Sequence, residues 1–433
     1  MKKIVTLAFA IAALGNAMAQ TSTTLFTSTQ STSLASLSMP NADAAKAVEL
    51  SQPTSTNNEV KEPKWYDNIQ LRGYTQFRYN NLLMSNENLT CDQCDRSIGG
   101  TGGFFIRRMR FIFFGQLSKN VYFYIQPDFG SSISSTSLNF GQLRDAYMDV
   151  GFDKKNEFRV RIGLSKVPYG FENMQSSQNR MPLDRADALN SSHPNERDLG
   201  AFFYWAPEKT RKLYASLVRD GLKGSGDYGV FGIGVYNGQA ANKPELSKNP
   251  HAVARLSYPI SFKNGQIIEP GIQAYAGQYV MAKDQLSSGA KYLSDRTYVD
   301  RRAAATFVLY PKPFGIQAEY NVGKGPRFNT ATDSIESSFL HGGYITMSYR
   351  YTIKKRLVIP YVRAQYFDGG KKLELDARSY QVRELEAGIE WPVNKNFEFT
   401  AAYMMSNRRY EDFVKQDNLQ KGHNLRLQAQ LNF

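Results

Sequence analysis

Residues 423–433 read HNLRLQAQLNF. Leu425, Leu427, Ala429, Leu431 and Phe433 alternate with Arg426, Gln428, Gln430 and Asn432. Period-two alternation marks a β-strand with one apolar and one polar face. A chain ending on an aromatic residue inside such a strand needs a partner for that strand's backbone. A closed barrel supplies it, with lipid on the apolar face and a polar lumen on the other.

The same unit recurs upstream, as about ten alternating residues followed by a turn or a polar loop. In IQLRGYTQFRYN, Ile69, Leu71, Phe77 and Tyr79 oppose Arg72, Tyr74, Gln76 and Arg78. In RRMRFIFFGQL, Met109, Phe111, Phe113 and Leu117 oppose Arg108, Arg110 and Gln116. VYFYIQPDF, LRDAYMDVGF, EFRVRIGLS, AVARLSYPI, YITMSYRYTI, LVIPYVRAQYF and FEFTAAYMM continue the series. A soluble sandwich also alternates, but it does not explain so long a run of near-uniform strands. Nor does it explain 27 Phe and 26 Tyr in 433 residues.

Short connections (LSKN, DKKN, YPKPF, TIKKR, PVNKN) alternate with long polar ones at about 80–103, 166–198, 282–296, 324–340, 369–379 and 408–422. Outer-membrane barrels have this asymmetry, with tight periplasmic turns and long outer loops. Seventeen segments qualify as strands, but a single-chain barrel with both ends periplasmic needs an even number. KLYASLVRDGLKG is the weakest, because Leu213, Leu217, Val218 and Leu222 fit a helical face as well. Read as a periplasmic turn with a short helix, it leaves an all-β, 16-stranded antiparallel transmembrane barrel. Trp65, Trp205 and Trp391 then fall at the periplasmic interface, where aromatic girdles sit.

The N-terminus MKKIVTLAFAIAALGNAMAQ reads as a secretory signal peptide over 1–19, with basic Lys2 and Lys3, an apolar Ile4–Leu14 and cleavage after Ala17-Met18-Ala19. Losing Lys2 and Lys3 lowers the formal charge from +14 to +12. The exported chain stays basic, which favours anions rather than nucleic acid as partners. No further segment reaches 18 consecutive apolar residues, which excludes helical spans. Residues 20–64 are rich in Ser, Thr, Asn and Ala and are expected to be weakly structured, with the barrel over 65–433. Cys91 and Cys94 in TCDQCDRS lack a second pair or a nearby His, so a local disulfide is expected rather than a metal site.

Strand parity places Arg72, Arg78, Arg108, Arg110, Arg159, Arg161, Arg255, Arg302, Arg350, Arg363 and Arg426 in the lumen. It also places Asp128, Asp145, Asp149, Glu269, Asp300, Glu319, Glu384, Glu386, Glu390 and Glu398 there. Six of these arginines lie on the first five strands, and Glu384, Glu386, Glu390 and Glu398 lie on two late ones, which implies a transverse field. Cross-strand pairing that merely braces the wall is the alternative. His193, His251, His341 and His423 are scattered. Ser191, Ser192 and His193 are adjacent only in sequence, so no catalytic constellation, cofactor or metal is expected.

Residues 158–205, FRVRIGLSKVPYGFENMQSSQNRMPLDRADALNSSHPNERDLGAFFYW, are more specific. G-x-x-K-x-P-[YF]-G-x-E runs from Gly163 to Glu172, and R-D-x-G from Arg197 to Gly200. FFIRRMRF, LRDAYMDV, GVYNG, VARLSYP and YVRAQYFDGG accompany them in order. From about Trp65 to Phe433 the chain resembles the phosphate-selective porin O and P family of Gram-negative outer membranes. The resemblance implies a homotrimeric, 16-stranded porin whose third outer loop, here about Lys166–Arg197, folds into the lumen. It implies an arginine ladder and a basic constriction, for which the inward arginines and Lys166, Arg180, Arg185 and Arg197 are the candidates. Lys166 continues the inward face of Arg159 and Arg161, and should extend that basic column. The function expected is passive diffusion of ions and small polar solutes with mild anion preference. Phosphate or polyphosphate selectivity, and a plugged barrel serving as receptor or adhesin, are the alternatives.

Overall fold

The computed structural model describes residues 65–89, 98, 103–130 and 139–433. The signal peptide, residues 20–64 and the Cys91–Cys94 pair lie outside the described residues. The strands are β1 (Ile69–Leu82), β2 (Phe104–Ser118), β3 (Val121–Gly130), β4 (Phe140–Gly151), β5 (Phe158–Lys166), β6 (Arg197–Trp205), β7 (Phe231–Tyr236) and β8 (His251–Ser257, continued by Ile260–Ser261). They continue as β9 (Ile267–Val280), β10 (Thr297–Leu309), β11 (Phe314–Asn329), β12 (Ser334–Tyr349, continued by Tyr351–Ile353), β13 (Arg356–Gly370), β14 (Ser379–Pro392), β15 (Phe397–Glu411) and β16 (Leu419–Asn432). Each strand pairs antiparallel with the next, and β16 pairs with β1 from Tyr74↔Asn432 to Arg78↔Gln428 and beyond. The result is the closed 16-stranded barrel expected from the alternation. Short helices α1 (Phe171–Met174) and α2 (Asp187–Asn190) lie between β5 and β6. Helix α3 (Glu208–Arg219) lies between β6 and β7, where the sequence pointed to a helix in place of a strand.

Burial is inverted relative to a soluble protein. Leu71, Ile272 and Phe77 are exposed, Leu71 at 60%, while Arg110, Arg426 and Asp300 are buried, Arg426 at 1%. Apolar side chains outside and charged ones inside are what a hydrocarbon solvent selects. The seam is closed by Phe433. Its N–H donates to the Gly73 carbonyl at 3.0 Å, and the Gly73 N–H donates to the Phe433 carbonyl at 2.7 Å. A Cβ at residue 73 would stand 2.5 Å from the Phe433 ring and 2.6 Å from the Arg110 carbonyl oxygen, so the close approach needs glycine.

Two of the long connections are shorter than the sequence implies. Strands β11 and β12 extend to Asn329 and from Ser334, so most of 324–340 is a protruding hairpin. Likewise β15 reaches Glu411 and β16 starts at Leu419, within the expected 408–422 loop. The end of β15 is polar on both faces, and the ends of β11 and β12 turn Phe328 and Ile335 inward into an apolar cluster, so neither shows the alternation that reveals the rest.

Candidate constriction and pore lining

The connection between β5 and β6 is tied to the wall at many points. Tyr74 Oη and Ser177 Oγ of β1 and the connection are 2.6 Å apart, and Arg78 Nη2 donates to the Leu183 carbonyl at 2.6 Å. The Phe171 N–H donates to Glu319 on β11 at 2.8 Å. Arg302 of β10 donates to Ser191 Oγ at 2.7 Å and to its carbonyl at 2.9 Å. Arg363 of β13 donates to the Asp184 carbonyl at 2.7 Å and to Glu172 at 3.1 Å. Arg408 of β15 bonds both oxygens of Asp187, at 3.2 and 3.0 Å. Every one of these wall residues points inward, so the segment spans contacts around the barrel. Buried polar groups need partners, and here the wall and the segment supply each other's.

Charge pairing crosses from segment to wall. Asp184 bonds Arg426 at 2.5 Å and lies 3.4 Å from Arg78 and 3.8 Å from Arg107. Lys371, in the connection between β13 and β14, bonds Asp187 at 2.5 Å. The segment's own cations gather instead on Glu196, which lies 3.0 Å from Arg185 and 3.5 Å from Arg180 and also bonds Arg197. Arg197 further holds Asp145 at 3.0 Å. Glu196 sits outside the strands, and its carboxyl lies well below the usual range. Burial alone would raise it, but Arg185, Lys166, Arg197 and Arg180 lower it further.

Lys166 does not extend a free basic column. Its Nζ donates to the Met174 and Gln175 carbonyls, at 3.0 and 2.5 Å, and so fastens the start of the segment. Arg350 lies between the two parts of β12 and donates to the Gly221 carbonyl at 2.6 Å beyond α3.

Arg159 pairs with Asp227 at 2.7 Å, Arg161 with Asp149 at 2.7 and 2.9 Å, and Arg110 with Asp128 at 2.9 Å. Arg255 donates to the Gly229 carbonyl at 2.8 Å. Asp300 accepts from Tyr275 at 2.8 Å, and Glu269 from Ser257 at 2.6 Å. The late carboxylates are also matched: Glu384 by Arg408 at 2.6 Å, Glu386 by Arg426 at 2.8 Å, and Glu390 by Lys223, with Glu398 beside Glu390. The transverse field implied by strand parity is therefore largely cancelled at its acidic end.

At the other end a basic excess remains. Two bulges add cations that alternation assigns to the outside. Between Gln76↔Arg108 and Phe77↔Ile106 the extra residue is Arg107, and between Gln126↔Asp145 and Pro127↔Leu143 it is Arg144. A bulge places two residues opposite one and re-aims a side chain. Arg107 reaches Asp184, and Arg144 lies 3.7 Å from Asp128. Arg78, Arg107, Arg110 and Arg180 all repel Arg108. Arg108 donates to Gln76 at 3.0 Å and has no ion-pair partner among the described residues. Arg180 is buried, with Nε and Nη1 lacking a hydrogen-bond acceptor among the described residues.

A family model described as phosphate-selective porin O and P matches residues 86–433. The chain belongs to the phosphate-selective porin O and P family. This porin O and P member is an outer-membrane porin barrel of a Gram-negative bacterium. Among solved structures, the outer membrane channel DcaP of Acinetobacter baumannii aligns with TM-score 0.54 at 13% identity, over 84% of this chain and 97% of that one. Salmonella typhi OmpF, in complex with daunomycin, aligns with TM-score 0.51 at 13% identity, over 84% and 97%. These likenesses show the shared barrel. No curated protein sequence matches the chain.

Proposed function

We propose that this porin passes small polar solutes by passive diffusion with a preference for anions, and that residues 167–196 set its narrowest point. The observation that carries this reading is the surplus around Arg108 and Arg180. Where the connection meets β1 and β2, Arg108 stands buried without an ion-pair partner among the described residues, and Arg180 shares the single carboxylate of Glu196 with Arg185 and Arg197. Fixed charge in a narrow, poorly screened passage discriminates between ions by sign. The reading includes a homotrimer embedded in outer-membrane lipid, export by the signal peptide at 1–19, and no catalysis. Reversal potential across a potassium chloride gradient tests it: an anion-selective sign is expected, and a cation-selective one overturns it.

Phosphate selectivity is the second reading. It is favoured by the gathering of Arg78, Arg107, Arg110 and Arg180 around Arg108, since guanidinium groups match phosphate oxygens in pairs. Competition between phosphate and chloride currents distinguishes the two. A plugged barrel would give no conductance at all.

A further inference from the structure

The side of the lumen near the short turns carries a second feature, which no charge pairing explains. Phe114 of β2, Tyr124 of β3 and Tyr147 of β4 stand directly opposite one another in register. Tyr124 and Tyr147 are stacked, with centroids 5.2 Å apart and planes at 15°, and Phe114 lies 6.5 Å from Tyr124. The guanidinium of Arg161 sits 3.9 Å from the Tyr147 ring centre and 5.5 Å from those of Tyr204 and Tyr228. At the opposite end Arg72 lies 5.1 Å from the centre of Phe114. The rings and guanidiniums thus form one strip across six adjacent strands and Tyr228.

The two ends of the strip differ. Arg161 is saturated, because Asp149 takes Nε and Nη2. Arg72 makes no hydrogen bond or ion pair to a described residue, and its Nε is buried without an acceptor. Arg72, Tyr124 and Tyr147 are only partly buried, so this end faces the lumen. A guanidinium left open beside stacked rings presents a charge and a π-surface together.

We infer that this strip is a docking site for aromatic carboxylates. The carboxylate would pair with the terminal nitrogens of Arg72 while the ring packs on the Phe114–Tyr124 surface. The inference rests on the reading that the lumen admits small anions, but its test does not depend on conduction.

Binding of benzoate, acetate and cyclohexanecarboxylate to the full-length, detergent-solubilised barrel decides it by calorimetry. Benzoate is expected to bind roughly tenfold tighter than acetate and severalfold tighter than cyclohexanecarboxylate. Arg72→Gln should weaken benzoate and acetate alike, whereas Tyr124→Leu should lower only benzoate, to near the acetate value. Benzoate binding no tighter than acetate, or equal to cyclohexanecarboxylate, overturns the site, and neither comparison needs a variant to fold. Benzoate binding without anion-selective current would leave the strip standing and remove the selectivity reading instead.

Discussion

Arg408 of β15 holds Asp187 of α2 through both terminal nitrogens, at 3.2 and 3.0 Å, across 221 positions of sequence. The same carboxylate takes Lys371 at 2.5 Å, and all three side chains are buried. One acid therefore joins the β5–β6 connection to the wall and to the connection between β13 and β14. Removing one partner of such a buried pair costs about 3–5 kcal/mol, because a charge is left uncompensated.

Asp187→Asn should therefore loosen the connection without opening the barrel. Single-channel conductance should rise and its noise increase, while the heat-modifiable band is retained. Conductance equal to the parent would show that α2 is held without this ion pair.

The C-terminal residue should matter for assembly. Phe433 closes two backbone bonds with Gly73, and its ring packs on Phe111 at 5.9 Å. Deleting Phe433, or replacing Gly73 by Val, should lower the fraction of folded barrel in membranes. Gel migration of unheated samples reads that fraction, and an unchanged fraction would make the seam contact incidental.

The constriction should be insensitive to mild acid. Burial raises the carboxyls of Asp184 and Asp187, but Arg78 and Arg426 lower the first and Arg408 and Lys371 lower the second, so both end below the usual range. A depressed carboxyl contributes stability that is present above its unfolded value and is lost as pH falls through its folded one. Conductance should stay flat from about pH 8 to about pH 4, where a free carboxylate is already about half protonated. A transition between pH 5 and 6 would contradict the pairing.

The barrel was legible because lipid and lumen impose opposite chemistry on alternate residues, as in Leu425 to Phe433. Parity found Arg110, Arg161 and Arg426, yet missed Arg107 and Arg144, because a bulge breaks the period of two at both. It missed Arg408, since the polar end of β15 reads as loop. Lys166 was placed on the right face but given the wrong task. Which carbonyls it meets depends on how residues 174 and 175 return toward β5, a tertiary fact with no local pattern. For the same reason the neighbouring Asp184 and Asp187 do not reveal the partner of Arg185, to which the fold gives Glu196.

The central claim is that the surplus charge at Arg108 and Arg180 sets the sign of selectivity. Reversal potential should be measured across a potassium chloride gradient for the parent, for Arg108→Glu with Arg180→Glu, and for Lys354→Glu in an exposed turn as the control. Each reversed charge is worth about 1 kcal/mol in such a passage, roughly a fivefold change in the permeability ratio. The account predicts an anion-selective parent, a double variant shifted to cation selectivity, and a control like the parent. A double variant with the parent's reversal potential would contradict it.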